Sequence, residues 1–287
     1  MWPPDEAPMG TLSVEPRERR GLAEVLGGLL PAQALRGPVL FVAAQPDDAV
    51  RHAAWLLRHS PGCHVVHVTD GAPRDLLPEG APPHLTRETY ARLREQESFA
   101  ALALAGLTED QQLSLGAVAE EASRELVTLT ECLLALVKAL RPSLLVVPPY
   151  DGTHPDQDTA AFISHAVVAL MERGGRTAPL LLEMLPAAAD GGAVPPGGTR
   201  PQAHVTLSGE ELALKQRMLA CVTSREVLSS EWEHEHYRRA PRYDFTRPAR
   251  EGLVLYGDAV PRMTTVHWRR LARHALEELR LVQTPWH

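Results

Sequence analysis

Apolar positions along the chain follow two alternating patterns. Pro38 to Ala44 (PVLFVAA), Cys63 to Thr69 (CHVVHVT) and Ser143 to Pro148 (SLLVVP) are short, nearly continuous apolar runs. Runs of that kind suit strands buried on both faces of a sheet. Between them the spacing turns helical. Val50, Ala53, Ala54 and Leu57 predict a helix over about 47–58. Tyr90, Leu93, Ala100 and Leu104 predict another over 86–105, its apolar stripe interrupted by Glu97. Further helices are expected over 17–30, 122–140, 158–172 and 264–281, and short strands at Leu180 to Leu182 and Val205 to Leu207. Ser208 with Glu211 is a capping-box pattern opening a helix to about 222. Alternation of strand and helix predicts βαβ units, hence an α/β fold with a mostly parallel sheet and helices on both sides.

The same pass divides the chain. Residues 1–16 are Pro-rich and polar and are expected to be a loose arm, with 17–287 a single domain. The Pro/Gly stretch 186–201 is too long for a simple connection and reads as an active-site flap or a linker. Residues 224–260 show no periodicity and are expected to be irregular.

Composition narrows the class. With 44% hydrophobic and 23% charged residues in a chain of 287, the protein is globular. A formal net charge of −7 argues against nucleic-acid binding, which needs a basic face. No signal peptide and no apolar run long enough for a membrane span is visible, so a cytoplasmic protein without a membrane partner is expected. Cys63, Cys132 and Cys221 are odd in number, widely spaced and set among apolar neighbours. They read as buried free thiols. The chain has no G-x-G-x-x-G, Walker loop or G-x-S-x-G, so nucleotide-dependent and serine-hydrolase chemistry have no support.

Two acidic constellations remain. Gln45-Pro46-Asp47-Asp48 follows the first predicted strand, and His154-Pro155-Asp156-Gln157-Asp158 follows SLLVVP. Open α/β sheets place ligands at such strand ends, so the two segments are expected to meet there. The plain alternative is that the aspartates only cap helices.

On these residues the sequence resembles the PIG-L/LmbE de-N-acetylases. The resemblance runs over about 38–257, through AAQPDDAV, VTDGAPRD, RETYARLREQESFAALALAGL, PPYDGTHPDQDTAAFISH, PLLLEM and the stretch Tyr237-Arg238 to Tyr243-Asp244-Phe245. It implies a Rossmann-like three-layer sandwich and a zinc hydrolase that removes an acyl group from an N-acylated amino sugar or sugar-like small molecule. In that family the two motifs usually read His-Pro-Asp-Asp-Glu and His-Pro-Asp-His. By position, Asp47 falls on the general base, Asp48 on a zinc ligand and His154 on the oxyanion stabiliser, with Asp156 placed to orient His154. Both histidine ligands are replaced, by Gln45 and Gln157, and the usual Glu is Ala49. A neutral amide oxygen is a poor zinc donor, so conventional hydrolysis is expected to be weak or lost. A non-catalytic ligand- or partner-binding protein of the same fold is the alternative.

His52, one helical turn after Asp48, is a possible substitute ligand in a set with Asp48 and His154. Arg94 and Glu97 read either as a buried ion pair under the site or as a surface pair. Asp70 and Arg74 are candidate pocket-lining residues. His234 and His236, read on a helix, face apart and are expected to be solvated.

Overall fold

A computed structural model describes residues 21–74, 85–186, 201–225, 233–249, 256 and 263–281. The expected arm, most of the loop 186–201 and much of 224–260 lie outside these. In chain order the elements are α1 (Leu22–Leu26), α2 (Ala32–Arg36), β1 (Val39–Ala43), α3 (Asp48–His59), β2 (His64–Thr69), α4 (Arg87–Leu104), β3 (Gln112–Ala117) and α5 (Leu126–Leu140). They continue with β4 (Leu144–Val147), α6 (Pro155–Arg173), β5 (Leu180–Leu185), β6 (Ala203–Thr206), α7 (Gly209–Ala220), β7 (His234–Arg239) and α8 (Thr265–Glu278).

The seven strands form one sheet in the order β3-β2-β1-β4-β5-β7-β6. β3, β2, β1, β4 and β5 pair in parallel, and β7 pairs antiparallel with β5 and β6. Strand order therefore reverses between β1 and β4, the crevice where open α/β sheets receive ligands. Successive side chains of a strand face opposite sides, and both sides are covered. Leu40, Val42, Leu145 and Val147 pack on α5, α6 and α8 around Phe162 and Trp268. Val39, Phe41, Leu144 and Val146 pack on the α1, α2, α3 and α7 side around Trp55 and Met218. This is the three-layer α/β sandwich that the alternation predicts.

Several expectations change. The single helix over 17–30 is replaced, within the described residues, by α1 and α2; Gly27 caps α1 and Pro31 opens α2. Gln112–Ala117 is a strand that the apolar pattern missed, and Arg247 to Asp244 belongs to a turn in a region where β7 is also regular. Cys63 is buried, but Cys132 is exposed and Cys221 half-buried; all three are free.

β7 shows why it was missed. Its sequence HEHYRR is polar, yet Glu235, Tyr237 and Arg238 are buried. Each buried charge has a distant partner. Arg238 Nε donates to Glu183 Oε2 at 2.5 Å, and Lys215 Nζ donates to Glu235 Oε1 at 2.9 Å. Glu235 also repairs a helix. α3 breaks at Ala53 (φ −146°, ψ 30°), and the Trp55 N–H beyond the break donates to both Glu235 carboxylate oxygens at 3.2 and 3.1 Å. Burying an amide N–H without an acceptor is costly, so this carboxylate fixes the kink.

Lys215 and Glu235 are fully enclosed, so removing one partner strands the other charge in the interior. Lys215→Met is expected to destabilise the protein by about 3–5 kcal/mol, because the buried carboxylate loses its counter-charge. Urea unfolding of wild type and variant checks this; a change within error would show that water reaches Glu235.

Candidate functional site

The loop after β1 carries Gln45 to Asp47 and runs directly into α3. The loop after β4 ends at His154, the N-cap of α6. Because β1 and β4 are parallel neighbours, both loops leave the same sheet edge. The Gln45 and His154 side chains meet, with Nε2 to Nε2 at 3.5 Å. The expected convergence of the two motifs is therefore present.

Asp47 is 1% exposed and encircled by guanidinium groups. Arg94 Nη2 donates to its Oδ1 at 2.5 Å, Arg225 Nη1 lies 3.6 Å from the same oxygen, and Arg51 Nη1 lies 3.9 Å from Oδ2. Burial pushes this carboxyl up, but the three arginines outweigh it and hold Asp47 below the usual carboxylate range. Asp48, next in sequence, behaves oppositely. Burial and the Asp47 charge raise it to about 6, while its Oδ2 accepts the Gln45 backbone N–H at 2.9 Å.

Arg94 is buried, as one of the two expectations for it required, but its close partner is Asp47. Glu97 Oε2 is 3.8 Å from Arg94 Nη1. Glu97 instead holds the turn after α7. Its Oε1 accepts from Thr223 N, Thr223 Oγ1 and Ser224 N at 2.8, 2.7 and 2.7 Å, and its Oε2 accepts from Ser224 Oγ at 2.5 Å. That turn delivers Arg225, whose Nη1 donates to Gln45 Oε1 at 2.8 Å. Arg225 lay in a stretch without periodicity, and no local motif marked it. Gly71 lets the β2 end approach: with φ +68°, a Cβ there would stand 2.8 Å from Pro46 Cδ and 3.0 Å from Arg94 Nε.

His154 is oriented differently from the expectation. Its Nδ1 accepts the Asp156 backbone N–H at 3.1 Å, an N-cap bond. The Asp156 side chain turns away: Oδ2 accepts from the Glu120 backbone N–H at 2.8 Å, and Oδ1 is buried without a partner. Burial, with the nearby carboxylates of Glu120, Asp48 and Asp70, raises Asp156 to about 8, so it is largely protonated at neutral pH. Burial and Arg225 lower His154 to about 4. Gln157 is half-buried in the first turn of α6.

The remaining candidates stand apart. Asp70 accepts from Arg87 at 2.5 Å and from the Ala72 and Ala119 N–H groups, and the half-exposed Arg74 pairs with Glu121 at 2.9 Å. Neither hydrogen-bonds to Gln45, Asp47, Asp48 or His154. His52 is lowered to about 3 by burial and by Arg51 and Lys215. No group of three or more His, Cys, Asp or Glu placed to hold a metal ion exists among the described residues, so Asp48, His52 and His154 do not form the substitute set. His234 and His236 lie on a strand, where residues two apart share a face. They stand beside His204, with ring centroids 4.9 and 4.6 Å from it.

Residues 40–168 match the family described as PIG-L: GlcNAc-PI de-N-acetylase. Among solved structures, the chain is similar to the N,N'-diacetylchitobiose deacetylase from Pyrococcus horikoshii, at 17% identity and a TM-score of 0.56, over 77% of this chain and 90% of that one. It is also similar to a triple mutant of a deacetylase involved in teicoplanin biosynthesis, at 17% identity and a TM-score of 0.51, over 72% and 100% of the two chains. No curated protein matches the chain. No helix among the described residues is long and apolar enough to cross a membrane.

PIG-L domains are in general metal-dependent, but the residues here do not fit a zinc ion. The only metal-donating atom of the Gln45 side chain is Oε1, and it already accepts from a guanidinium. Asp48 Oδ2 is bonded to a backbone N–H. Around these stand Asp47, Asp48 and Glu97 against Arg51, Arg94 and Arg225, a set that is already charge-balanced when all are ionised. A dication would be repelled by the guanidinium beside it.

The raised Asp156 acid has a consequence for stability. A carboxyl whose folded value lies above its ordinary value of 3.8 stabilises the fold below that value. The contribution is lost as pH rises through the folded value of about 8. Wild type is therefore expected to lose up to about 1.4 kcal/mol per pH unit between pH 5 and 8 relative to Asp156→Asn, which cannot ionise. Urea midpoints of both proteins at pH 5 and pH 8 test this; parallel profiles would refute it.

Proposed function

We propose that this PIG-L domain recognises an N-acylated amino-sugar or sugar-like small molecule, and that zinc-dependent amide hydrolysis is lost or strongly reduced in it. The observation that supports the reading is the 2.8 Å bond from Arg225 Nη1 to Gln45 Oε1: an organic cation engages the side chain that the motif resemblance aligns with a zinc ligand. The similar structures include deacetylases, and Gln45 and His154 meet at the strand-end crevice where folds of this class receive ligands.

Zinc hydrolysis needs three things: an ion held by three protein donors, a carboxylate able to take the water's proton, and a donor for the oxyanion. Only the last is well provided, by His154. Asp47 keeps the base position, but three guanidiniums stabilise its charged form, and a carboxylate so stabilised accepts a proton poorly near neutral pH. Gln45 and Gln157 offer neutral amides where imidazoles are required. The site therefore binds and orients without generating a metal-bound nucleophile. Three unpaired cysteines suit a cytoplasmic, reducing setting.

Restoring the donors should restore the ion, provided the guanidinium is removed as well. Calorimetric zinc titration is expected to show no stoichiometric binding by wild type and weak binding by Gln45→His with Gln157→His. Adding Arg225→Ala to that pair should strengthen zinc binding by about tenfold or more, by removing a like charge next to the ion. Wild-type protein purified with one equivalent of zinc and hydrolysing N-acetylglucosamine derivatives would overturn the reading. A triple variant no better than the double would show that Arg225 does not occupy the ion's surroundings.

A further inference from the structure

Two hydrogen-bond donors face each other between the β1 and β4 loops. His154 Nδ1 accepts the Asp156 N–H, so the ring's proton sits on Nε2. Gln45 Oε1 accepts from Arg225, so the amide nitrogen of Gln45 is the atom turned toward that ring. The two nitrogens stand 3.5 Å apart, both carrying hydrogen, and neither has an acceptor in the other. One oxygen atom lying between and just outside them would accept from both. Beside this point stands the Arg225 guanidinium, and the N-termini of α3 and α6 open onto the same edge. The nearby carboxylates do not fill the role. Asp47 Oδ1 is held by Arg94 and stands 3.6 Å from Arg225 Nη1, and Asp48 Oδ2 is held by the Gln45 N–H.

We propose that this point receives an oxyanion of the ligand, a carboxylate or a phosphate, bridged by Gln45 Nε2 and His154 Nε2 and charge-paired with Arg225. The inference rests on the reading that no zinc ion resides there, and it narrows that reading to an acidic amino-sugar-like or sugar-like molecule. Position and polarity are exchanged relative to a metalloenzyme. Where a metal site gathers acceptors around a cation, this chain turns two N–H donors, and a guanidinium it shares with Asp47, toward one point, which suits an anion. Glu97 is a positioning residue here, because its four hydrogen bonds hold the turn that presents Arg225.

The test titrates the full chain calorimetrically with inorganic phosphate and, separately, with acetate, at constant ionic strength in low chloride. The proteins compared are wild type, Arg225→Gln, Gln45→Glu and, as a control for the arginine-rich surface, the exposed Arg58→Gln. One equivalent of saturable binding is expected in wild type and Arg58→Gln. Arg225→Gln should weaken it about tenfold or more, since a charge-assisted pair is lost. Gln45→Glu should abolish it, because the new carboxylate takes the His154 proton donor for itself. Binding of phosphate alone points to a phosphorylated ligand, of acetate alone to a carboxylated one, and either supports the shared chemistry. Absence of saturable binding, or equal affinity in wild type, Arg225→Gln and Gln45→Glu, overturns the proposal. If Arg225→Gln unfolds, Gln45→Glu decides alone. Zinc loading of wild type in the same buffer would sink the parent reading, whereas failed anion binding without zinc sinks only this one.

Discussion

Asp47 and Arg94 meet at 2.5 Å with both side chains about 1% exposed, and the crevice is organised around that pair. Asp47 belongs to the loop after β1 and Arg94 to the middle of α4, so the pair clamps the helix across the strand end. A charge removed from water on this scale persists only with a counter-charge beside it. Arg94 cannot leave Asp47, and α4 cannot slide relative to β1. One turn further along α4, Glu97 collects four hydrogen bonds from Thr223 and Ser224. The next residue, Arg225, reaches back to Gln45 and Asp47. The circuit thus closes on the loop where it began, and each link is a charged or charge-assisted contact.

A second set of buried charges holds the far side of the sheet in the same way. Glu235 on β7 accepts from Lys215 of α7, from the Trp55 N–H freed by the α3 kink and from Tyr237 Oη at 2.6 Å. Glu183 of β5 accepts from Arg238 and, at 2.6 Å, from Tyr243 Oη. These contacts place α3, α7, β5 and β7 in register, and α3 is the helix that begins with Asp48. Its N-cap, Asp47, is fixed from one side by Arg94, and its second half from the other by Glu235.

Sequence alone determined the parts whose signal is local. PVLFVAA, CHVVHVT and SLLVVP read as buried strands, and they are, because a strand covered on both faces is apolar at most of its positions. The strand-end motifs read as neighbours because parallel strands with right-handed crossovers put their carboxyl ends on one edge. The expectation that Gln45 and Gln157 fall on histidine positions of the family motifs needs only residue identity at those positions. Tertiary structure decided the rest, and the reason is that the deciding contacts join charges far apart in the chain. β7 has inward positions that are charged, so no apolar period reveals it; Lys215 and Glu183 make those positions tolerable only once the sheet is assembled. His234 and His236 changed from opposite faces to one face with that reassignment. Asp156 was expected to orient His154, but its side chain accepts the Glu120 N–H instead, a partner that exists only once the segment after β3 packs against α6. Arg225 had no motif at all. Its meaning comes entirely from Glu97, which bends the preceding turn, and from Gln45, whose amide oxygen a guanidinium has claimed.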